Sequence, residues 1–222
     1  MTSYAFLGGS FDPIHLGHMT VLAEIQKKID FTRLSFLPYN ISPTNKTPIA
    51  PPTKRLAMVR LAISSFRSSM NAAQNLDIEE VDIQRDTPAY TYSSLRDLRR
   101  LYGEECHISF IMGDDCYATL DSWHRWDELC DFTNLLIINR DDAKPHEEVI
   151  NHERQRIVLD LSSPTEKKDF LKHSRGCIAK LSLTPVKISS SSIRHSLANK
   201  EDVSDFIMPP VINYIKKHNL YA

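Results

Sequence analysis

The 222 residues are 41% hydrophobic and 25% charged, the balance of a folded globular protein and not of a disordered one. That length allows one well-buried core with at most a modest appendage. Lys plus Arg is 27 and Asp plus Glu is 28, a net charge of -1, so the overall charge gives no case for nucleic acid or an anionic membrane as partner.

Tyr4–Leu7 is a short apolar run that breaks at Gly8-Gly9, which predicts a buried strand entering a loop. Leu16, Met19, Leu22, Ile25 and Ile29 then recur at the spacing of one helix face. Leu34–Leu37 predicts a second strand, followed by a Pro-rich loop from Pro38 to Pro52. Arg55–Phe66 reads as a helix, Leu76–Ile83 as a strand, and Tyr92–Tyr102 as a helix stopped by Gly103. Ile108–Met112 and Asn134–Asn139 are expected strands, with Arg156–Leu159 and Ile178–Leu181 as weaker ones. The charged stretch Arg140–Glu153 is expected to be a surface loop or partial helix, and Val211–His218 a C-terminal helix. This alternation predicts an α/β fold, a doubly wound and mostly parallel sheet with a C-terminal helical segment, in a single domain over residues 1–222. In such sheets ligands bind beyond the carboxyl ends of the strands, so the loop after the first strand is the first place to look.

The four cysteines, Cys106, Cys116, Cys130 and Cys177, form neither a CxxC pair nor a regular framework. The opening MTSYAFLGGSFDP has no basic n-region, and no stretch approaches the ~20 apolar residues needed to span a bilayer. Reduced thiols in a cytoplasmic protein are the expectation.

The loop after the first strand reads Gly8-Gly9-Ser10-Phe11-Asp12-Pro13-Ile14-His15-Leu16-Gly17-His18. Glycines there let backbone approach a phosphate, and the next helix start offers N–H groups and a positive dipole end. His15 and His18, three apart, project to the same side of a helix and can donate to phosphate oxygens. A structural role is their alternative; zinc is disfavoured, since no third and fourth ligand sits at a recognisable spacing. No Gly-Lys-Ser/Thr follows, so this is not a Walker loop. Lys187-Ile188-Ser189-Ser190-Ser191-Ser192-Ile193-Arg194 reads as a serine N-cap before a helix over Ile193–Leu197, a second anion-binding helix start, with Arg194 in its first turn.

Gly8–His18 resembles the GGxFDPxHxGH motif of the HxGH nucleotidylyltransferase superfamily, and Ile188–Arg194 its ISSTxIR motif. The likeness extends to one branch, bacterial nicotinate-nucleotide adenylyltransferase. Ala89-Tyr90-Thr91-Tyr92-Ser93-Ser94-Leu95 looks like that family's SYTxxTL segment, and Phe110-Ile111-Met112-Gly113-Asp114-Asp115 like its FIxGxD strand end, followed by Trp123-His124-Arg125-Trp126. Asn139-Arg140 closes a strand as in the family, and Pro209 to Tyr221 resembles its terminal PxxVxxYIxxxxLY. The family often has Thr where Ser10 and Ser191 stand, and its frequent PPHK is here Pro43-Thr44-Asn45-Lys46.

The resemblance implies a Rossmann-like nucleotidylyltransferase fold and a reaction of ATP with nicotinate mononucleotide, giving deamido-NAD and pyrophosphate in NAD biosynthesis. It implies His15, His18 and Arg194 as catalytic groups at the phosphates. Gly8, Gly9, Ser10, Phe11, His18, Gly113, Asp114, Ser190, Ser191 and Arg194 would form the ATP site, with Asp114 on a ribose hydroxyl. Lys46, Thr91 and Trp123 would hold nicotinate mononucleotide, Thr91 at the carboxylate and Trp123 stacked on the ring. Mg2+ is expected to be bound with ATP, with no protein metal site, nucleic-acid partner or membrane, and the chain is expected to be a monomer or homodimer. The rival readings are transfer to another acceptor such as phosphopantetheine, cytidylyl transfer from CTP, a class I aminoacyl-tRNA synthetase, for which the chain is too short and lacks a basic surface for tRNA, or a silent nucleotide-binding or regulatory protein.

Overall fold

The computed structural model of the chain describes residues 1–44, 47–69, 75–139 and 144–221. Its strands are β1 (Ser3–Gly9), β2 (Arg33–Pro38), β3 (Leu76–Ile78), β4 (His107–Gly113), β5 (Asn134–Ile138), β6 (Ile157–Asp160) and β7 (Cys177–Leu181). Its helices are α1 (Leu16–Lys28), α2 (Pro52–Ser69), α3 (Thr91–Tyr102), α4 (Asp114–Ala118), α5 (Glu147–Glu153), α6 (Pro164–Phe170), α7 (Ser190–Ala198) and α8 (Pro209–Lys217). The strands form one sheet in the order β3-β2-β1-β4-β5-β7-β6, and every described pairing is parallel.

β4 and β5 are buried along their whole length, which is why they read as largely apolar runs: helices cover both faces of the sheet. The alternation of side chains sends neighbours on one strand to opposite faces. Ala5 joins the core layer built with Met19, Leu22, Met58, Val59 and Ile215, whereas Phe6 joins the layer of Leu95, Leu98, Phe110 and Leu135. The doubly wound α/β expectation therefore holds. From β1 the chain winds outward through β2 to β3, then crosses by α3 to β4 on the other side of β1. The order of strands reverses at β1, so a crevice opens between the carboxyl ends of β1 and β4, where such folds bind ligands.

Several boundaries differ from the sequence reading. β3 stops at Ile78, not Ile83: Glu79 N–H still reaches Phe36 C=O, but Gln84 and Arg85 then close a turn onto Glu80 and Asp82. Val81 and Ile83 imitate a strand's alternation while serving that turn. α7 begins at Ser190, three residues earlier than expected, because Ser189 is the cap, and Arg194 consequently lies in the second turn and not the first. The stretch expected as a loop or partial helix contributes α5, while residues 140–143 lie outside the described residues. α6 has no counterpart in the sequence reading, although Ser163-Pro164-Thr165-Glu166 is a capping-box pattern and forms one.

Candidate active site

The end of β1 is fixed between its neighbours, with Gly8 opposite Leu37 and Gly9 opposite Pro38 on β2. A Cβ at Gly8 would stand 3.0 Å from the Phe110 ring of β4, so the strand can lie this close only without a side chain. The loop then turns through Phe11, which takes a left-handed backbone (φ 49°) and buries its ring edge-on to Phe36 and His18. His15 caps α1. Its N–H donates to His18 Nδ1 at 3.3 Å, and the two imidazoles stack with centroids 3.7 Å apart. Gly17 makes this possible, since a Cβ there would meet His15 Nδ1 at 3.0 Å.

α7 brings the serine run to this loop. Ser189 Oγ accepts from Ser192 N–H, Ser190 Oγ donates to Pro13 C=O at 3.0 Å, and Arg194 Nη1 donates to Asp12 C=O at 2.7 Å. Side chains on a helix lean toward its N-terminus, so Arg194 still reaches back to Ser191 Oγ at 3.2 Å from the second turn.

Two cavities flank the end of β1. One of about 260 Å³ is lined by Leu7, His15, His18, Gly113, Asn139 and Ser190, among others. The loop leaving β7 closes its far side, where Asn139 Oδ1 accepts from Leu183 N–H. The other, of about 200 Å³, is lined by Gly8, Gly9, Asp82, Thr91, Phe110 and Trp123, with neighbouring loop residues. Thus the structure gathers His15, His18, Gly113 and Ser190 on one side, and Thr91 and Trp123 on the other. Gly8 and Gly9 face the second cavity. Ser10 serves through its carbonyl, and the Phe11 side chain is 1% exposed, a brace for His18. Asp114 is the half-buried first residue of α4, its Oδ1 accepting from Asp115 N–H. Lys46 lies outside the described residues.

Three residues that hold this geometry were given no role of their own by the sequence reading. Arg55 is fully buried, its guanidinium donating to the carbonyls of Ser10, Tyr39, Asn40 and Ala50. Burial pushes its pKa down, opposed chiefly by the nearby Asp12 carboxylate. Asp12, also buried, accepts from the N–H groups of Ile49 and Ala50 and from the Tyr221 hydroxyl. A signal for Arg55 existed: it stands in register with Met58, Val59, Ala62, Ile63 and Phe66 on the apolar face of α2. Asp82 had no such signal. Burial raises its carboxyl, held back by the Ser94 hydroxyl at 2.6 Å and by Arg85.

Residues 6–196 match the cytidylyltransferase-like family. A relative from Shewanella sp. (strain MR-7) bearing the name "Probable nicotinate-nucleotide adenylyltransferase" is 31% identical over 97% of this chain and 97% of its own. The chain belongs to this family. A relative of the same name from Pseudomonas aeruginosa (strain UCBPP-PA14) is 31% identical over 96% of this chain and 94% of its own. The family fold is shared with Plasmodium falciparum nicotinic acid mononucleotide adenylyltransferase complexed with NaAD, at a TM-score of 0.73 and 21% identity over 100% of this chain and 98% of that one. In this member of the family the two motif segments at Thr91 and at Ser189–Ser190 line the cavities on opposite sides of β1.

Proposed function

We propose that this protein transfers the adenylyl group of ATP to nicotinate mononucleotide, releasing pyrophosphate and forming deamido-NAD in NAD biosynthesis. The observation that carries the reading is the placement of the two cavities: consecutive residues of β1, Leu7 and Gly8, line different ones. A nucleotide in each would bring their phosphates together at Gly8–Ser10, one strand's thickness apart. ATP belongs in the first, its triphosphate toward His15, His18, Ser190, Ser191 and Arg194, with Gly113 and Asp114 at the nucleoside. The acceptor belongs in the second, its ring on Trp123 and its carboxylate at the start of α3 near Thr91.

The acceptor's phosphate oxygen attacks the α-phosphorus of ATP, forming the new P–O bond as the bond to pyrophosphate breaks. That oxygen is already ionised near neutral pH, so no general base is required. What remains is alignment of two anions and stabilisation of crowded charge. His18 Nδ1 accepts from the His15 N–H, so a neutral His18 ring carries its proton on Nε2 and can donate it to a phosphate oxygen. Two helix starts, α1 and α7, face the same anions. Magnesium would arrive on ATP, because the Asp12 carboxylate of the loop is taken by the N–H groups of Ile49 and Ala50 and by the Tyr221 hydroxyl, which leaves the triphosphate oxygens as the donors. Bound there, the ion would take its ligands largely from the triphosphate and neutralise charge on the leaving pyrophosphate. A cytoplasmic monomer or homodimer of one folded unit completes the reading; no described helix is long and apolar enough to cross a membrane.

The test is kcat/KM by pyrophosphate release for nicotinate and nicotinamide mononucleotides under identical conditions, with phosphopantetheine as a third acceptor and CTP as a second donor. The first turn of α3 offers N–H groups that a carboxylate can accept from, whereas an amide turns NH₂ toward at least one of them. An unsatisfied buried donor costs roughly 1–3 kcal/mol, so nicotinate mononucleotide should be preferred by about tenfold to hundredfold. Equal values, or a preference for the amide, would remove the nicotinate assignment.

A further inference from the structure

The segment that follows α8 has no part in the chemistry above, yet it reaches the motif loop. After α8 the chain turns back, with Asn219 N–H on Lys216 C=O and Leu220 N–H on Ile215 C=O, and Tyr221 takes a left-handed backbone at φ 64°. Tyr221 is only 7% exposed, and its hydroxyl donates to Asp12 Oδ1 at 2.6 Å across 209 positions of sequence.

Asp12 is the hinge of this arrangement because its two ends are held by different parts of the molecule. Its carboxylate takes Tyr221 and Ala50 N–H on Oδ1 and Ile49 N–H on Oδ2, and its backbone carbonyl takes Arg194 Nη1 at 2.7 Å. His15 follows three residues later, its ring stacked on His18. Whatever fixes the Asp12 carboxylate therefore also fixes the acceptor that orients Arg194 and the loop from which His15 and His18 project. Burial and the adjacent Asp12 carboxylate raise the phenol's pKa, which keeps Tyr221 a proton donor throughout the working range.

We infer that Tyr221 is a positioning residue for the transfer reaction, locking Asp12 so that Arg194, His15 and His18 face the phosphates in a set geometry. The inference rests on the adenylyl-transfer reading for its kinetic consequence, but not for its structural one. A loosened loop should cost more in the transition state than in ground-state binding, since the transition state tolerates less misplacement.

Tyr221→Phe keeps the ring and removes only the hydroxyl. Its kcat should fall about tenfold while KM for ATP and for the acceptor stays within about twofold. Tyr214→Phe on α8, whose ring packs on His218 outside this network, should keep wild-type kcat. The imidazole NMR signals of His15 and His18, followed in the full-length protein without nucleotide, should shift in Tyr221→Phe and not in Tyr214→Phe. Unshifted signals overturn the inference whatever the turnover, as does a Tyr221→Phe kcat within twofold of an active wild type, or a loss confined to KM. An inactive wild type would instead count against the proposed reaction, and the imidazole signals would still decide the role of Tyr221.

Discussion

His18 is held on three sides: its Nδ1 by the His15 N–H, one ring face by the His15 imidazole, and an edge contact by the Phe11 ring 5.1 Å away. A preorganised donor of this kind typically contributes about 100- to 1000-fold in turnover when it meets developing charge. His18→Ala should therefore lose activity on that scale while its thermal unfolding midpoint stays near wild type, because the ring packs on the loop and is no part of the sheet's core. More than about a tenth of wild-type kcat in the folded variant would show that His18 is not that donor. At this scale the sequence was informative about the residues proposed to meet phosphate and nearly silent about residues that hold. The histidines, glycines and serines advertise themselves by spacing, since phosphate chemistry needs those types at a strand end and a helix start. Asp12 was visible only as a letter of the motif, and Arg55 hid inside an apolar stripe. What makes Arg55 tolerable in the core is four backbone carbonyls contributed from separate loops, and no local pattern encodes that convergence.

Helices α6 and α7 carry the same device with different consequences. In α7 the Ser189 cap sets where the helix starts and thereby how far Arg194 must reach. In α6 Ser163 Oγ accepts from Glu166 N–H at 3.2 Å while the Glu166 carboxylate accepts from Ser163 N–H at 3.1 Å, and the helix buries Phe170 beneath the sheet. Ser163→Ala removes one side of that box and should lower unfolding free energy by about 1 kcal/mol. Because α6 lies apart from both cavities, kcat and KM should be unchanged. A urea titration with parallel kinetics tests this: an unchanged midpoint would show that the cap contributes nothing, and altered kinetics would tie α6 to the site. Elements with strong periodicity, α1, α3 and the buried β4 and β5, were legible because burial repeats along them. β3 was overread, since Val81 and Ile83 alternate for a turn's reasons and not a strand's. α6 was missed although its cap is written in four consecutive residues.

Across the whole sheet, polarity is divided between its two ends. The carboxyl ends carry the cavities, while the opposite end buries His107, whose Nε2 lies 2.6 Å from Ser109 Oγ and whose Nδ1 lies 3.3 Å from Asn134 Nδ2. Burial lowers the His107 pKa to about 4 from an ordinary value near 6.5. The unfolded chain therefore binds a proton that the folded one refuses between these values. The stability contributed by a neutral His107 is fully present above about pH 6.5 and is lost as pH falls toward about 4. Between pH 7 and 5.5 this amounts to about 1 kcal/mol. Urea midpoints of wild type and His107→Gln at both pH values should show a smaller decline in the variant, and parallel declines would show that His107 is not the titrating group. The sequence by itself determined the alternation of elements and the doubly wound sheet, because local periodicity is enough to specify them, and it singled out the Gly8–His18 and Ser189–Arg194 motifs that meet at the end of β1. Only the tertiary structure decided that the last tyrosine closes on the twelfth residue, that a buried arginine binds the loops together, and that one strand end separates two cavities. Those contacts join residues far apart in the chain, and their energy appears only once the sheet has brought them within hydrogen-bonding distance.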